Sequence, residues 1–421
     1  MQTKLQLSHM FFFSLVFFIL LLASYQGFIR YLSVFMTIFC LYISLTSKKP
    51  FLTICSFFIT SYFAYLIPYF FLNVAYATRQ DFQTYDLSVI TLRLNSVFTF
   101  IFLTIWSFGK NQHLNFSLKL PRKDNLIIFV FCLIVVLVLA SLMISSSGNV
   151  FTSNYRDITE ERYAFIDYSL IFVLMSFIFS SCKRNAYILA VVAIYCIICL
   201  LYGYRLRFLQ MVLLTFILFY ENRFDSKVIF KICIIGFTSL LVVGVFRGVD
   251  KSLSLASLLG GKENVIVSNQ GGVFLNATMY IGLVENNLID TSTRLTTFFG
   301  NFIGIFYSLA GLPESFNLVT YLSNRYSAPG GGLIVGYLYV WGGSVSIYVC
   351  SLLIGTFYRI AYSREKIHPI FAIYLVVIFF MFPRWYAYNP LHLIKMPFLA
   401  IVIFLIFSSI HYILIKANNV K

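Results

Sequence analysis

Apolar runs of membrane-crossing length follow one another along most of this chain, separated by short polar breaks. A helix crosses a bilayer core in about 20 residues at 1.5 Å each. By that measure the runs at 10–25, 28–45, 51–73, 89–108, 126–144, 163–182, 186–202, 208–220 and 228–246 predict nine helices. Runs at 333–358, 369–382 and 393–415 predict three more. Between the ninth and tenth the pattern lapses: 247–332 is rich in Gly, Ser, Asn and Thr. The pattern therefore predicts an all-α polytopic membrane protein with about 12 spans. It divides into 1–246, a large extracytoplasmic loop over 247–332, and 333–421. A loop this long is rarely a mere connector and is the expected place of substrate contact. Within it, 295–312 is apolar, yet Gly300, Gly304 and Gly311 weaken it as a span, so it is expected to lie on the membrane or dip into it.

Composition removes the soluble alternative. Charged residues make up 11% and hydrophobic ones 60%, against about 25% charged in a soluble domain. The net charge of +16 would suggest nucleic acid in a soluble protein. Here the basic residues sit in short loops, where they set orientation instead. With the N-terminus in the cytoplasm, 17 of the 31 Lys and Arg residues fall inside in clusters, which places both termini in the cytoplasm and 247–332 outside. The eight cysteines lie in or beside apolar runs and offer no disulfide framework. Cys196-x-x-Cys199 sits deep in such a run and reads as packing.

Sorting the basic residues by side changes the picture again. The inside holds 12 Lys and 5 Arg; the outside holds 11 Arg and 3 Lys. Arginine keeps its charge and presents a planar fork that matches phosphate oxygens in pairs. Arg205 and Arg207 open the eighth run, Arg247 closes the ninth, Arg325 precedes the tenth, Arg384 closes the eleventh, and Arg294 lies in the long loop. These six are the candidate substrate-binding residues, expected to ring a cavity at the outer membrane surface. Pairing with external acids or lipid headgroups is the plainer reading. Arg93, a turn inside the fourth run, is an intramembrane cation and a further candidate.

Two residues are candidate general bases. His392 is the one histidine of five in an external segment, and Glu314 follows Pro313 in the long loop. An interfacial histidine beside Trp385 and Tyr386, and an ordinary helix-start acid, are the structural alternatives. No metal-ligand spacing is present, so neither metal nor cofactor is expected.

These features resemble the Wzy-type O-antigen polymerases. The resemblance rests on the span count, one large late loop and arginines at span ends. Locally it rests on Gly203-x-Arg205 opening an apolar run, and on Pro329-Gly330-Gly331-Gly332 before an aromatic run reaching Val340-Trp341-Gly342-Gly343. The family often carries an acid in that opening, where this chain has Gly336 and Tyr337. The resemblance implies a GT-C-like glycosyltransferase of the bacterial inner membrane. It would join repeat units carried on polyprenyl pyrophosphate, with membrane lipid, a flippase and a chain-length regulator as partners and no nucleic acid. A flippase for the same lipid-linked sugars and an O-antigen ligase are the competing readings.

Overall fold

A computed structural model describes residues 2–72, 75–76, 84–108, 120–146, 164–202, 204–220, 224–248, 265–266, 269–303, 316–326, 331–363 and 368–419. A helix stands at each of the twelve apolar runs. They are α1 (Gln2–Ala23), α2 (Ile29–Thr46), α3 (Pro50–Leu72), α4 (Tyr85–Ser107), α5 (Leu126–Ser146) and α6 (Ser169–Ile178). Then come α7 (Asn185–Leu201), α8 (Arg205–Thr215) and α9 (Ser226–Gly248). Three helices lie in the expected loop: α10 (Asn269–Glu285), α11 (Thr291–Ile303) and α12 (Leu318–Tyr326). The last group is α13 (Ile334–Ser363), α14 (Pro369–Phe380), the short α15 (Phe382–Ala387) and α16 (Lys395–Asn419). The described strands are two residues each: Ala75–Tyr76 pairs in parallel with Val265–Ile266.

Among the described residues, seven helices are long and apolar enough to cross a membrane: α2, α3, α4, α5, α7, α13 and α16. Phe11, Leu15, Ile127, Ile134, Leu353 and Ile413 all point outward. Water would not tolerate so much apolar surface on a folded chain, whereas lipid covers it without cost. The chain is a polytopic helical membrane protein.

At the centre stands α4, packed along α13 and against α2 and α10. Its Phe98, Phe102 and Trp106 meet Tyr386, Trp385 and Tyr358 in a buried aromatic stack. Helix α10 was not anticipated as part of the bundle. Its Gly, Asn and Thr lower its hydropathy, but Val273, Phe274, Ala277, Tyr280 and Ile281 are buried against α13, α4 and α3. Gly336 makes that contact possible, because a Cβ there would stand 3.0 Å from Ala277 Cα.

One end of the bundle gathers the lysines. Lys49 Nζ donates to the carbonyls of Trp106, Ser107 and Phe108 at 2.7, 3.2 and 3.3 Å, satisfying the last turn of α4. Burial, and then Arg359, push this ammonium down to about 8. Nearby, Lys123 N donates to Ile178 O (2.7 Å), and Asn125 Nδ2 meets His411 Nδ1 (3.2 Å). Ring contacts of Phe51 with Phe216 and of Phe177 with Phe219 tie the start of α3 and the ends of α6 and α8 to this same end.

Helix α13 is broken within its length. Gly342 (φ −152°, ψ 19°) and Gly343 (φ 62°, ψ −158°) leave the helical region. The Ser346 hydroxyl lies against the carbonyls of Leu338 and Gly343, covering groups that the break would expose. Beside the break runs α11, capped by Asp290, whose Oδ2 accepts from Thr293 N at 3.3 Å. Hydrogen bonding from Thr293 holds this carboxyl below its ordinary value. Leu295, Phe298, Phe299 and Phe302 of α11 face outward and Thr297 inward. This is the segment expected at the membrane surface; its continuation over 304–315 lies outside the described residues.

Candidate functional site: a buried cluster of charge

Three helices stop short. α6 has 10 residues, α8 has 11 before a π turn at Phe216–Tyr220, and α14 has 12. At 1.5 Å per residue α14 reaches about 18 Å, well short of the ~30 Å bilayer core. Each brings a charged residue to the same place. Before α6, a 3-10 turn over Ala164–Tyr168 carries Asp167. The first turn of α8 carries Arg207, and α15, which turns away after α14 at Pro383, carries Arg384.

The Asp167 carboxylate joins them. Arg207 Nε donates to its Oδ1 at 2.7 Å and Arg384 Nη2 to its Oδ2 at 2.8 Å. The Asp167 and Arg207 side chains are 5% and 7% exposed and that of Arg384 is 25% exposed, so the cluster is buried on one side and open on the other. From Ile178, at the lysine end, to Asp167 the helical rise is about 18 Å, against roughly 31 Å for the neighbouring α5. The cluster therefore lies a little past the midpoint of the bundle.

Arg384 also donates from Nε to His392 Nε2 (3.1 Å). His392 is half-buried on the 3-10 turn Pro390–Leu393, started by Asn389 Oδ1 accepting from Leu391 N at 2.9 Å. Lys395 lies within electrostatic reach of Asp167 and Arg384. Three cations (Arg207, Arg384 and Lys395) thus surround one carboxylate, leaving a surplus of positive charge. Arg205 shares the first turn of α8, and its Nε is buried without a hydrogen-bond partner among the described residues. That turn adds the positive end of the helix dipole. Alongside, Tyr386 donates to Asn95 Oδ1 (3.3 Å) and Gln210 Nε2 meets Met381 Sδ (2.9 Å), extending a polar seam into the core.

The structure sorts the six candidate arginines. Arg207 and Arg384 meet, and Arg205 stands beside them. Arg294 donates to Val340 O at the break in α13, and Arg325 bonds Tyr321 Oη (3.1 Å) with its guanidinium 4.4 Å from the same ring's centroid. The Arg247 side chain and the whole of Glu314 lie outside the described residues. Arg93 serves another purpose: it donates to Ser24 Oγ and Ser24 O (2.9 and 2.5 Å) and stacks on Tyr25, closing the end of α1. The arginines that converge, Arg207 and Arg384, do so on Asp167, where their helices begin or end.

Asp167, the residue that organises the cluster, was overlooked. It sits within the apolar run at 163–182, and a lone carboxylate in such a run was the signal that marks it. Among the described residues no group of three His, Cys, Asp or Glu is placed to hold a metal ion.

Fold and site together define a polytopic helical membrane protein whose shortened helices present a buried, cation-rich cluster. Residues 8–260 match the family model described as "Putative O-antigen polymerase". The chain belongs to the O-antigen polymerase family, and the match spans α1 to α9, including Asp167, Arg205 and Arg207. No curated protein and no solved structure matches it.

Proposed function

We propose that this protein polymerises lipid-linked oligosaccharide repeat units of a bacterial surface polysaccharide, with polyprenyl pyrophosphate as the leaving group. The observation that carries the reading is the pair of arginines held on one carboxylate, with excess positive charge, inside a membrane bundle. A pyrophosphate on a long lipid tail suits such a site, because the tail remains in the bilayer while its head reaches the cations. In the reaction an acceptor hydroxyl attacks C1 of the donor sugar. The bond from C1 to the pyrophosphate oxygen breaks, and its electron pair leaves with the polyprenyl pyrophosphate. The arginines stabilise the charge that develops there. The acceptor proton passes to a base, for which the carboxylates of 247–332, Glu314 among them, are the candidates.

In this reading the chain has twelve spans in a GT-C-like arrangement in the inner membrane. The lysine end faces the cytoplasm, as the positive-inside rule favours, and both termini lie there. The flippase and chain-length regulator of the same pathway are its partners. No divalent ion enters the scheme, so polymerisation of purified lipid-linked repeat units should proceed in excess EDTA.

Arg384→Lys tests the central point. Lysine keeps the charge but loses the fork, and polymerisation should fall about 100-fold with the protein still inserted. Full activity in that variant would remove the cluster from the reaction. Deletion in the host separates the competing readings. Loss of a polymerase leaves lipid capped with one repeat unit, loss of a flippase leaves none exported, and loss of a ligase leaves polymer unattached.

A further inference from the structure

His392 was a candidate base, but its surroundings give it a different role. The Nε of Arg384 always carries a hydrogen and has no lone pair to offer. A hydrogen bond from that atom to His392 Nε2, at 3.1 Å, therefore requires Nε2 to be the acceptor. The imidazole is then neutral, with its proton on Nδ1. That Nδ1 is buried and has no hydrogen-bond partner among the described residues. Leaving a buried N–H unsatisfied is costly, so a ligand that accepts from it gains by doing so.

We infer that His392 is a hydrogen-bond donor to a phosphate oxygen of the bound lipid pyrophosphate, and not the base that takes the acceptor proton. The inference rests on the proposed function, since it names a further contact in the same site. The chemistry is consistent on both sides of the ring. Protonation at Nε2 would place an N–H against the Nε–H of Arg384, so uptake of the acceptor's proton there would break the contact that orients the histidine. Donation from Nδ1 leaves that contact intact. Arg207, Arg384 and Lys395 supply charge, and the imidazole supplies a directed neutral donor whose aim is fixed by Arg384. Such a donor also distinguishes a phosphate head from a merely hydrophobic lipid.

Binding of undecaprenyl pyrophosphate to the purified full-length protein, followed beside polymerisation, tests this. His392→Ala should weaken binding about 10- to 100-fold, the size of one lost hydrogen bond to a charged group. His392→Asn places an amide N–H near the former Nδ1 and should recover most of that loss. His392→Gln offers Arg384 an acceptor near the former Nε2 but no donor at Nδ1, and should resemble Ala. The inference is overturned if His392→Ala binds the probe as tightly as the native protein while turnover falls 10²–10⁴-fold, which is the behaviour of a base. It is overturned equally if Asn and Gln bind alike. Absence of binding by the native protein would instead remove the proposed function, and this inference with it.

Discussion

At the scale of single residues, the Asp167 carboxylate does the most. Its two oxygens each take one guanidinium, and its side chain is 5% exposed. Removing one member of a buried ion pair leaves the other uncompensated and costs about 3–5 kcal/mol. Asp167→Asn is therefore expected to lower stability in detergent by that amount, read from denaturant or thermal unfolding. Adding Arg207→Gln should restore part of the loss, because the stranded charge goes with it. A double variant no more stable than the single would show that the pair does not hold the cluster together. Arg93 teaches the reverse lesson. An arginine inside an apolar run reads as a site residue, yet this one closes the end of α1 on Ser24 and Tyr25. Sequence gives the cost of burying a charge but not which partner meets it, so Asp167 and Arg93 cannot be ranked before their neighbours are known.

Among the elements, the decisive features are where helices stop and where one breaks. Gly343 has a positive φ (62°) paired with ψ −158°, a combination essentially confined to glycine, while a Cβ there would meet nothing within 4 Å. The cost of Gly343→Ala is thus backbone strain alone, about 1–3 kcal/mol. The expected outcome is a destabilised or straightened α13, measurable by thermal unfolding and by the distance between spin labels on either side of the break. Unchanged stability and distance would count against strain at this position. The apolar runs located the helices because length and hydropathy are local properties. The late start of α6 and the early end of α14 were less legible: 163–182 and 369–382 read as full spans, while the helices cover Ser169–Ile178 and Pro369–Phe380. The first residues of the one run and the last of the other are spent on turns that only tertiary contacts select. α10 escaped notice for a related reason. A helix covered by protein need not be as apolar as one facing lipid.

For the whole molecule, the two ends are chemically unlike, with lysines gathered at one, where Lys49 caps α4, and arginines entering from the other. Asn287→Cys, in the exposed turn before α11, should react with an impermeant maleimide in intact cells. Native Cys182, exposed at the lysine end, and Lys416→Cys should react only after permeabilisation. The opposite result would invert the orientation. The cluster between these ends also has an order of assembly. Asp167 and Arg207, which pair in the folded chain, leave the ribosome about 2–8 s apart at roughly 5–20 residues per second. Arg384 follows only after about 10–35 s of further synthesis. Asp167 and Arg207 are thus both present before Arg384 and Lys395 exist, and only the finished polypeptide carries the surplus charge that would draw an anionic lipid head.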